Sequence, residues 1–196
     1  SFPELNLLVS KTISGLTGGG NSSWVGNDRI AAAISYGDQQ LKLYDADTLN
    51  VVRVFEDTDY VHSVGVSTSG KYLVAALNSG SLKVWDTSSW KEREIPNWYR
   101  FSNLYNFHPL REELIADQWN GTSGTTAILD LETLTIRHVF DKGYNGNGFY
   151  TPDGSSFYYG DGTPKLYDSN TFKTVPIDNL PKSRNGMKWS FKPASG

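Results

Sequence analysis

SVGVSTSGKYLVAALNSGSLKVWDTSSWKERE, residues 63–94, holds four short runs of the kind that make antiparallel strands. Ser63 to Ser67 alternates, Lys71 to Leu77 is nearly all apolar, Ser81 to Asp86 alternates again, and Ser89 to Ile95 is a polar fourth run. Period-two alternation places one set of side chains on each face of a strand. Between the runs lie Thr68-Ser69-Gly70, Asn78-Ser79-Gly80 and Asp86-Thr87-Ser88. These are turn residues, because glycine reaches positive φ and Asn, Asp and Ser side chains bond their own backbone. Four strands joined by tight turns make one small sheet, which needs neighbours to bury its faces.

The SLKVWD run recurs as LKLYD ending at Asp45, TAILD ending at Asp130 and PKLYD ending at Asp168. The period is roughly 40 residues, the length of one β-propeller blade. On these residues the chain resembles the WD40 and YVTN-like propeller family. Trp85-Asp86 matches the dipeptide of that family, relaxed to Tyr44-Asp45, Leu129-Asp130 and Tyr167-Asp168, and each is followed by a turn and then Leu49, Trp90, Leu134 or Phe172. A WD40 blade places a histidine before its first strand and an aspartate in its second turn. The corresponding places here hold Glu56-Asp57 and Asn78-Ser79. The resemblance is therefore to a WD40-like or YVTN-like relative without that network.

The expected fold is all-β, a β-propeller of four-stranded antiparallel blades, in one domain or segment over residues 1–196. The blades fall at about 20–57, 60–97, 102–141 and 146–178, with partial-blade strands at 5–15 and 186–196. The first blade takes Trp24 to Val25, Arg29 to Ile34, Leu41 to Asp45 and Val51 to Phe55, and the third takes Asn103 to Pro109, Glu113 to Trp119, Thr125 to Asp130 and Thr135 to Phe140. In the fourth the runs are Asn147 to Pro152, Ser155 to Gly160, Pro164 to Asp168 and Phe172 to Ile177. Pro109, Pro152 and Pro193 follow first strands, where a missing donor does little harm. A fourth strand at one end and a first strand at the other would not pair, which makes the chain a segment of a larger propeller or a half-ring completed by another chain. A closed four-bladed ring is the competing expectation.

The 196 residues include 19 glycines, 8 prolines and 13% aromatics, which suits strands separated by tight turns. No apolar stretch approaches the roughly 20 residues of a membrane span. The net charge of −3 and the scattered Lys and Arg give no basic stripe for nucleic acid. Cysteine is absent, so disulfides and thiolate chemistry are excluded, and localisation stays undetermined. Asn21-Ser22-Ser23 and Asn120-Gly121-Thr122 match the glycosylation acceptor, a pattern short enough to arise by chance.

No catalytic, cofactor or metal residue is assigned. His62, His108 and His138 stand at unrelated places in the repeat, and His62 reads as a surface or turn-bonding histidine. Gly18-Gly19-Gly20 lacks the lysine and helix of a phosphate loop, and Asx turns explain Asp45-Ala46-Asp47 and Gly160-Asp161-Gly162. Propellers resembling this chain bind partners on the face formed by the loops from fourth to first strands and from second to third strands. Those loops hold Tyr60, Trp98, Tyr99, Arg100, Trp119, Asn120, Tyr144 and Asn145, and an insert from Trp119 to Thr125 widens one rim. Trp, Tyr and Arg are the residue types enriched at binding hot spots. The same rings also serve to plug gaps between blades, the role expected of Trp85, Trp90 and Trp189.

The expectation is a non-enzymatic interaction scaffold that meets a protein partner, or a neighbouring chain completing the propeller, through these aromatics. A homo-oligomer is compatible with it. A carbohydrate-binding or sugar-processing surface or virion propeller, and a structural module of a larger assembly, are its alternatives.

Overall fold

The computed structural model describes residues 20–34, 40–56, 58, 60–93, 95, 101–119, 124–140, 148–160 and 165–176. They form four four-stranded sheets, and no helix occurs among them. The first sheet is β1 (Gly20–Val25), β2 (Arg29–Ile34), β3 (Leu41–Asp45) and β4 (Val51–Val54). The second is β5 (Val61–Val66), β6 (Tyr72–Leu77), β7 (Leu82–Asp86) and β8 (Glu92–Arg93). The third is β9 (Phe101–Phe107), β10 (Glu113–Trp119), β11 (Gly124–Asp130) and β12 (Thr135–Phe140). The fourth is β13 (Phe149–Tyr150), β14 (Ser156–Tyr159), β15 (Lys165–Asp168) and β16 (Thr174–Val175). Every pairing is antiparallel, and spatial order follows chain order in each sheet. The partial strands expected at 5–15 and 186–196, and Trp189 with them, lie outside the described residues.

Of the polar fourth run expected from Ser89 to Ile95, the strand begins only at Glu92, and Glu92–Arg93 are its described residues. The cause is local: Asp86 Oδ1 accepts the N–H groups of Ser88 and Ser89, each at 3.0 Å, and draws both serines into the turn. The same turn recurs in all four sheets. Asp45, Asp130 and Asp168 accept the N–H of Thr48, Thr133 and Thr171 at 2.9, 2.9 and 2.7 Å. The next residue then takes positive φ: 54° at Leu49, 57° at Trp90, 56° at Leu134 and 56° at Phe172. A non-glycine residue in this left-handed region costs roughly 1–2 kcal/mol. Packing offsets that strain, since Leu134 is buried and the Trp90 ring lies 5.6 Å from Phe55.

Alternation explains how the sheets stack. In β6 all six residues are buried, which requires cover on both faces. Leu73, Ala75 and Leu77 join Ala31, Leu41 and Leu43 of the first sheet in one apolar cluster, while Tyr72, Val74 and Ala76 join Leu114, Ala116 and Leu129 of the third in another. Ile115 and Ile128, on the opposite face of the third sheet, meet Tyr150, Phe157 and Tyr159 of the fourth. The second and third sheets thus each present one face to the sheet before and the other to the sheet after.

The first strands are neighbours in series, β1 beside β5, β5 beside β9 and β9 beside β13. Gly65 of β5 lets the Phe107 ring of β9 approach closely: a Cβ there would lie 2.5 Å from Phe107 Cε2. The fourth strands form exposed sheet edges, and Val51, Val52 and Val54 are open to solvent. An arginine on three of these edges reaches the next sheet. Arg53 Nη2 approaches the Trp90 carbonyl at 3.5 Å, Arg93 donates to the carbonyls of Leu131 and Glu132, and the Arg137 guanidinium stands 5.4 Å from the Phe172 ring centroid.

Candidate functional site

The fourth-to-first and second-to-third connections of the second sheet meet at Tyr60, His62 and Asn78. Strand β5 begins immediately after Tyr60, and the turn following β6 contains Asn78 and Gly80, whose φ of 84° closes it. The Asn78 N–H donates to the Tyr60 carbonyl at 2.7 Å, tying the two connections together. Asn78 Oδ1 lies 3.1 Å from His62 Nε2, and the Tyr60 and His62 rings meet edge to face at 5.0 Å. Tyr60 is half-buried, while His62 and Asn78 are exposed. His62 is thus the surface, turn-bonding histidine that the sequence indicated.

The other expected site residues spread over the remaining sheets. Trp119 is the last residue of β10 and pairs with Gly124 of β11, so part of the expected insert from Trp119 to Thr125 is strand. Trp98, Tyr99, Arg100, Asn120, Tyr144 and Asn145 lie outside the described residues. Trp85 and Trp90 pack between sheets as expected, with Trp85 3% exposed and its ring 4.7 Å from Phe55.

The densest polar chemistry lies elsewhere, between the third and fourth sheets. Glu113, buried at the start of β10, accepts from Arg137 and from the Tyr150 hydroxyl, and Arg111 Nη2 stands 3.4 Å from its Oε1. Burial first, and the Glu113 carboxylate second, push the Tyr150 phenol above its ordinary pKa. His108 is buried beside this group. Its Nδ1 accepts the N–H groups of Leu110 and Arg111, each at 3.0 Å, so Nε2 carries the proton donated to the Gly154 carbonyl. Arg111 also spans the junction to Asn170 Oδ1 at 2.6 Å and to the Ser169 carbonyl at 3.2 Å. Every one of these groups is held by another, and the arrangement ties two sheets together.

A second polar junction joins the second and third sheets. Glu132 accepts from Lys71 and, at 2.8 Å, from the Tyr72 hydroxyl. The hydrogen bond to Glu132 holds the Lys71 ammonium above its ordinary pKa, and the bond from Lys71 holds the Glu132 carboxyl below its own. Arg93 covers the Tyr72 ring at 4.9 Å. Beside this junction, Lys91, Glu92 and Arg93 face Thr133, Leu134 and Thr135 across an open cleft of about 750 Å³. Its lining mixes both charge signs, and Arg93 is engaged with backbone carbonyls.

Asp117 is a further buried carboxylate, with Thr126 Oγ1 and Asn103 Nδ2 each 3.4 Å from it. Among the described residues no group of three His, Cys, Asp or Glu side chains is placed to hold a metal ion. Sequence reasoning passed over the Glu113 group because its members are far apart in the chain. The available signals were a glutamate opening an apolar strand and an arginine in three successive fourth strands. No protein-family model matches the chain, and no curated protein is similar to it at a significant level.

Proposed function

We propose that the four sheets are blades of a propeller and that the chain is a non-enzymatic interaction scaffold, meeting a protein partner on the face of the fourth-to-first and second-to-third loops. The observation that carries this reading is the joint between Tyr60 and Asn78. There the two connections of one sheet are locked together by a backbone hydrogen bond, with an aromatic ring and a hydrogen-bonding tip at the surface. A loop fixed in this way loses little conformational freedom when a partner docks, so more of the contact energy is available for affinity. The series of neighbouring first strands supports the blade arrangement, because it directs equivalent loops of successive sheets to one side. The buried polar groups support a structural rather than a reactive use of acid and base side chains, since they are consumed in holding one sheet to the next.

The test is site-specific photocrosslinking in extract of the cells that carry the sequence. A photoreactive group replacing Tyr60 should give a discrete protein adduct that unlabelled wild type competes away and Tyr60→Ala competes poorly. The same group at Asp153, in the turn between β13 and β14 on the opposite side, should give none. Equal labelling from both positions, or adducts that wild type does not compete for, would remove the loop face as the binding surface. Saturable binding of a defined glycan that depends on Tyr60 would instead favour the carbohydrate-binding alternative.

A further inference from the structure

At each junction between sheets, the residue at positive φ in the third turn meets the sheet before it. At the first junction that residue is Trp90, whose ring lies 5.6 Å from Phe55. At the third it is Phe172, stacked on His138 at 4.6 Å with the Arg137 guanidinium 5.4 Å from its centroid. The middle junction has Leu134 instead, which reaches less far than an indole or a phenyl ring. Across from it Arg93 is held by the carbonyls of Leu131 and Glu132 and by the Tyr72 ring. The open cleft of about 750 Å³ is lined by Leu134 and Arg93, at the place where the other two junctions hold a pair of rings. None of the described residues lining it is aromatic.

The carboxylates of the lining are already engaged. Asp86 Oδ1 accepts from Ser88 and Ser89 of its own turn, and Glu92 Oε2 lies 3.1 Å from Lys83 Nζ, outside the lining. Lys91 is exposed, and no carboxylate among the described residues pairs with it. The hydroxyls of Thr133 and Thr135 bond each other at 2.7 Å, which leaves one O–H proton to donate. To an incoming group the cleft therefore offers an apolar floor, a cation and a hydroxyl donor. The floor suits a ring, and the cation and hydroxyl suit a carboxylate, because charge-assisted hydrogen bonds are the stronger ones.

We propose that this cleft takes an aromatic side chain flanked by a carboxylate, presented by an extended segment of a partner protein. The ring stands on Leu134, in the place filled by Trp90 and Phe172 at the other junctions, and the carboxylate meets Lys91 and the Thr133–Thr135 pair. Sites for small molecules bury about 70–90% of the ligand, which so open a cleft does not do. A protein segment has contacts beyond the cleft to hold it. The third turns are tied to the first turns, as by Ala46 N–H to the Asp28 carbonyl and Thr87 N–H to the Lys71 carbonyl. The cleft thus lies away from the Tyr60 loops and is a second surface, beyond the one proposed above.

The test is an NMR titration of the full, isotope-labelled chain with capped tripeptides, read at the backbone amides. Asp-Phe-Asp should shift the amides of Lys91, Leu134 and Thr135 saturably. Asp-Ala-Asp, without the ring, and Asn-Phe-Asn, without the carboxylates, should each bind about tenfold more weakly, a difference of roughly 1.4 kcal/mol. Lys91→Ala should bring Asp-Phe-Asp down to the level of Asn-Phe-Asn and leave Asn-Phe-Asn as it was, a pattern that misfolding would not produce. Leu134→Phe should fill the cleft and abolish binding; Phe172 shows that this turn accepts the ring, and the amide spectrum checks the fold. Should that variant unfold, the Lys91 comparison decides alone. No saturable shift with Asp-Phe-Asp at millimolar concentration overturns the proposal, as do equal affinity for Asp-Ala-Asp and shifts centred on Tyr60 and Asn78. Phenylacetate bound as tightly as the tripeptide would replace the protein segment with a small aromatic acid. Failure of the crosslinking at Tyr60 would leave these shifts as they are, so the two readings fail separately.

Discussion

His108 Nε2 donates to the Gly154 carbonyl at 3.0 Å, from the third sheet into the first turn of the fourth. Gly154 stands at φ 68°, and a Cβ there would lie 2.4 Å from His108 Cε1, so the ring and the turn fit only with glycine. Burial, reinforced by the Arg111 cation, pushes the His108 imidazolium below its ordinary pKa, while Glu113 opposes that shift. The unfolded chain therefore takes up a proton near the usual histidine value of about 6.5, and the folded chain does not. Stability from this group is complete above about pH 6.5 and is lost as the pH falls below that value. Melting followed from pH 8 to pH 5 should show a steeper loss for wild type than for His108→Asn. Equal slopes would mean that His108 protonates in place.

Asp86 supplies the acid counterpart. Its carboxylate is held at about pKa 2, chiefly by the Ser88 hydroxyl and then by the Ser89 N–H. A depressed folded-state value means that the contribution is present above the ordinary 3.8 and disappears as the pH falls toward 2. Asp86→Asn should be less stable than wild type at neutral pH, and the gap should narrow between pH 4 and pH 2. A gap independent of pH in that window would show that the amide caps the turn as well as the carboxylate does.

Trp85 fills the space between the first and second sheets at the end of the row that includes Leu73. Trp85→Ala should cost about 3–5 kcal/mol through lost burial and the cavity left behind. Urea unfolding is the measurement. Trp24→Ala, at the equivalent of Val66 but 59% exposed, should cost far less.

Glu113 faces two arginines and a phenol from within the third and fourth sheets. Glu113→Ala leaves Arg137 and the Tyr150 hydroxyl facing an apolar void, and breaking a buried pair from one side costs about 3–5 kcal/mol. Tyr150→Phe removes one hydrogen bond and keeps the ring, so its expected loss is nearer 1 kcal/mol. Denaturant melts of both variants give the comparison, and a Glu113→Ala loss no larger than that of Tyr150→Phe would contradict a load shared with Arg137.

The strands and their order were legible because the signals are local. Alternation in LKVWD, glycines in the first turns and Asp-led third turns each act within a few residues, and the four sheets follow them. The late start of β8 escaped because the Asp86 cap takes the Ser89 N–H into the turn, where the expected run began with that residue. The positive φ at Leu49, Trp90, Leu134 and Phe172 was not legible either: a large apolar side chain normally argues against that conformation, and at Trp90, Leu134 and Phe172 packing against the preceding sheet helps to sustain it. The site followed the same division. Tyr60 was found as a loop aromatic, but Glu113 meets Tyr150 across 37 positions and Arg137 across 24, distances over which no periodicity operates.

Because each sheet is a chain-ordered meander and touches chiefly the sheets before and after it, ordering can spread from one junction to the next without first closing a long loop. The second and third sheets, covered on both sides, are then the natural place for folding to start and the last to yield amide protons to solvent. The fourth sheet, whose β13 and β16 are two residues each, is where opening should begin. In a chain organised this way the ends govern lifetime more than the middle does. Whatever holds the first and fourth sheets in place would slow the whole series from coming apart.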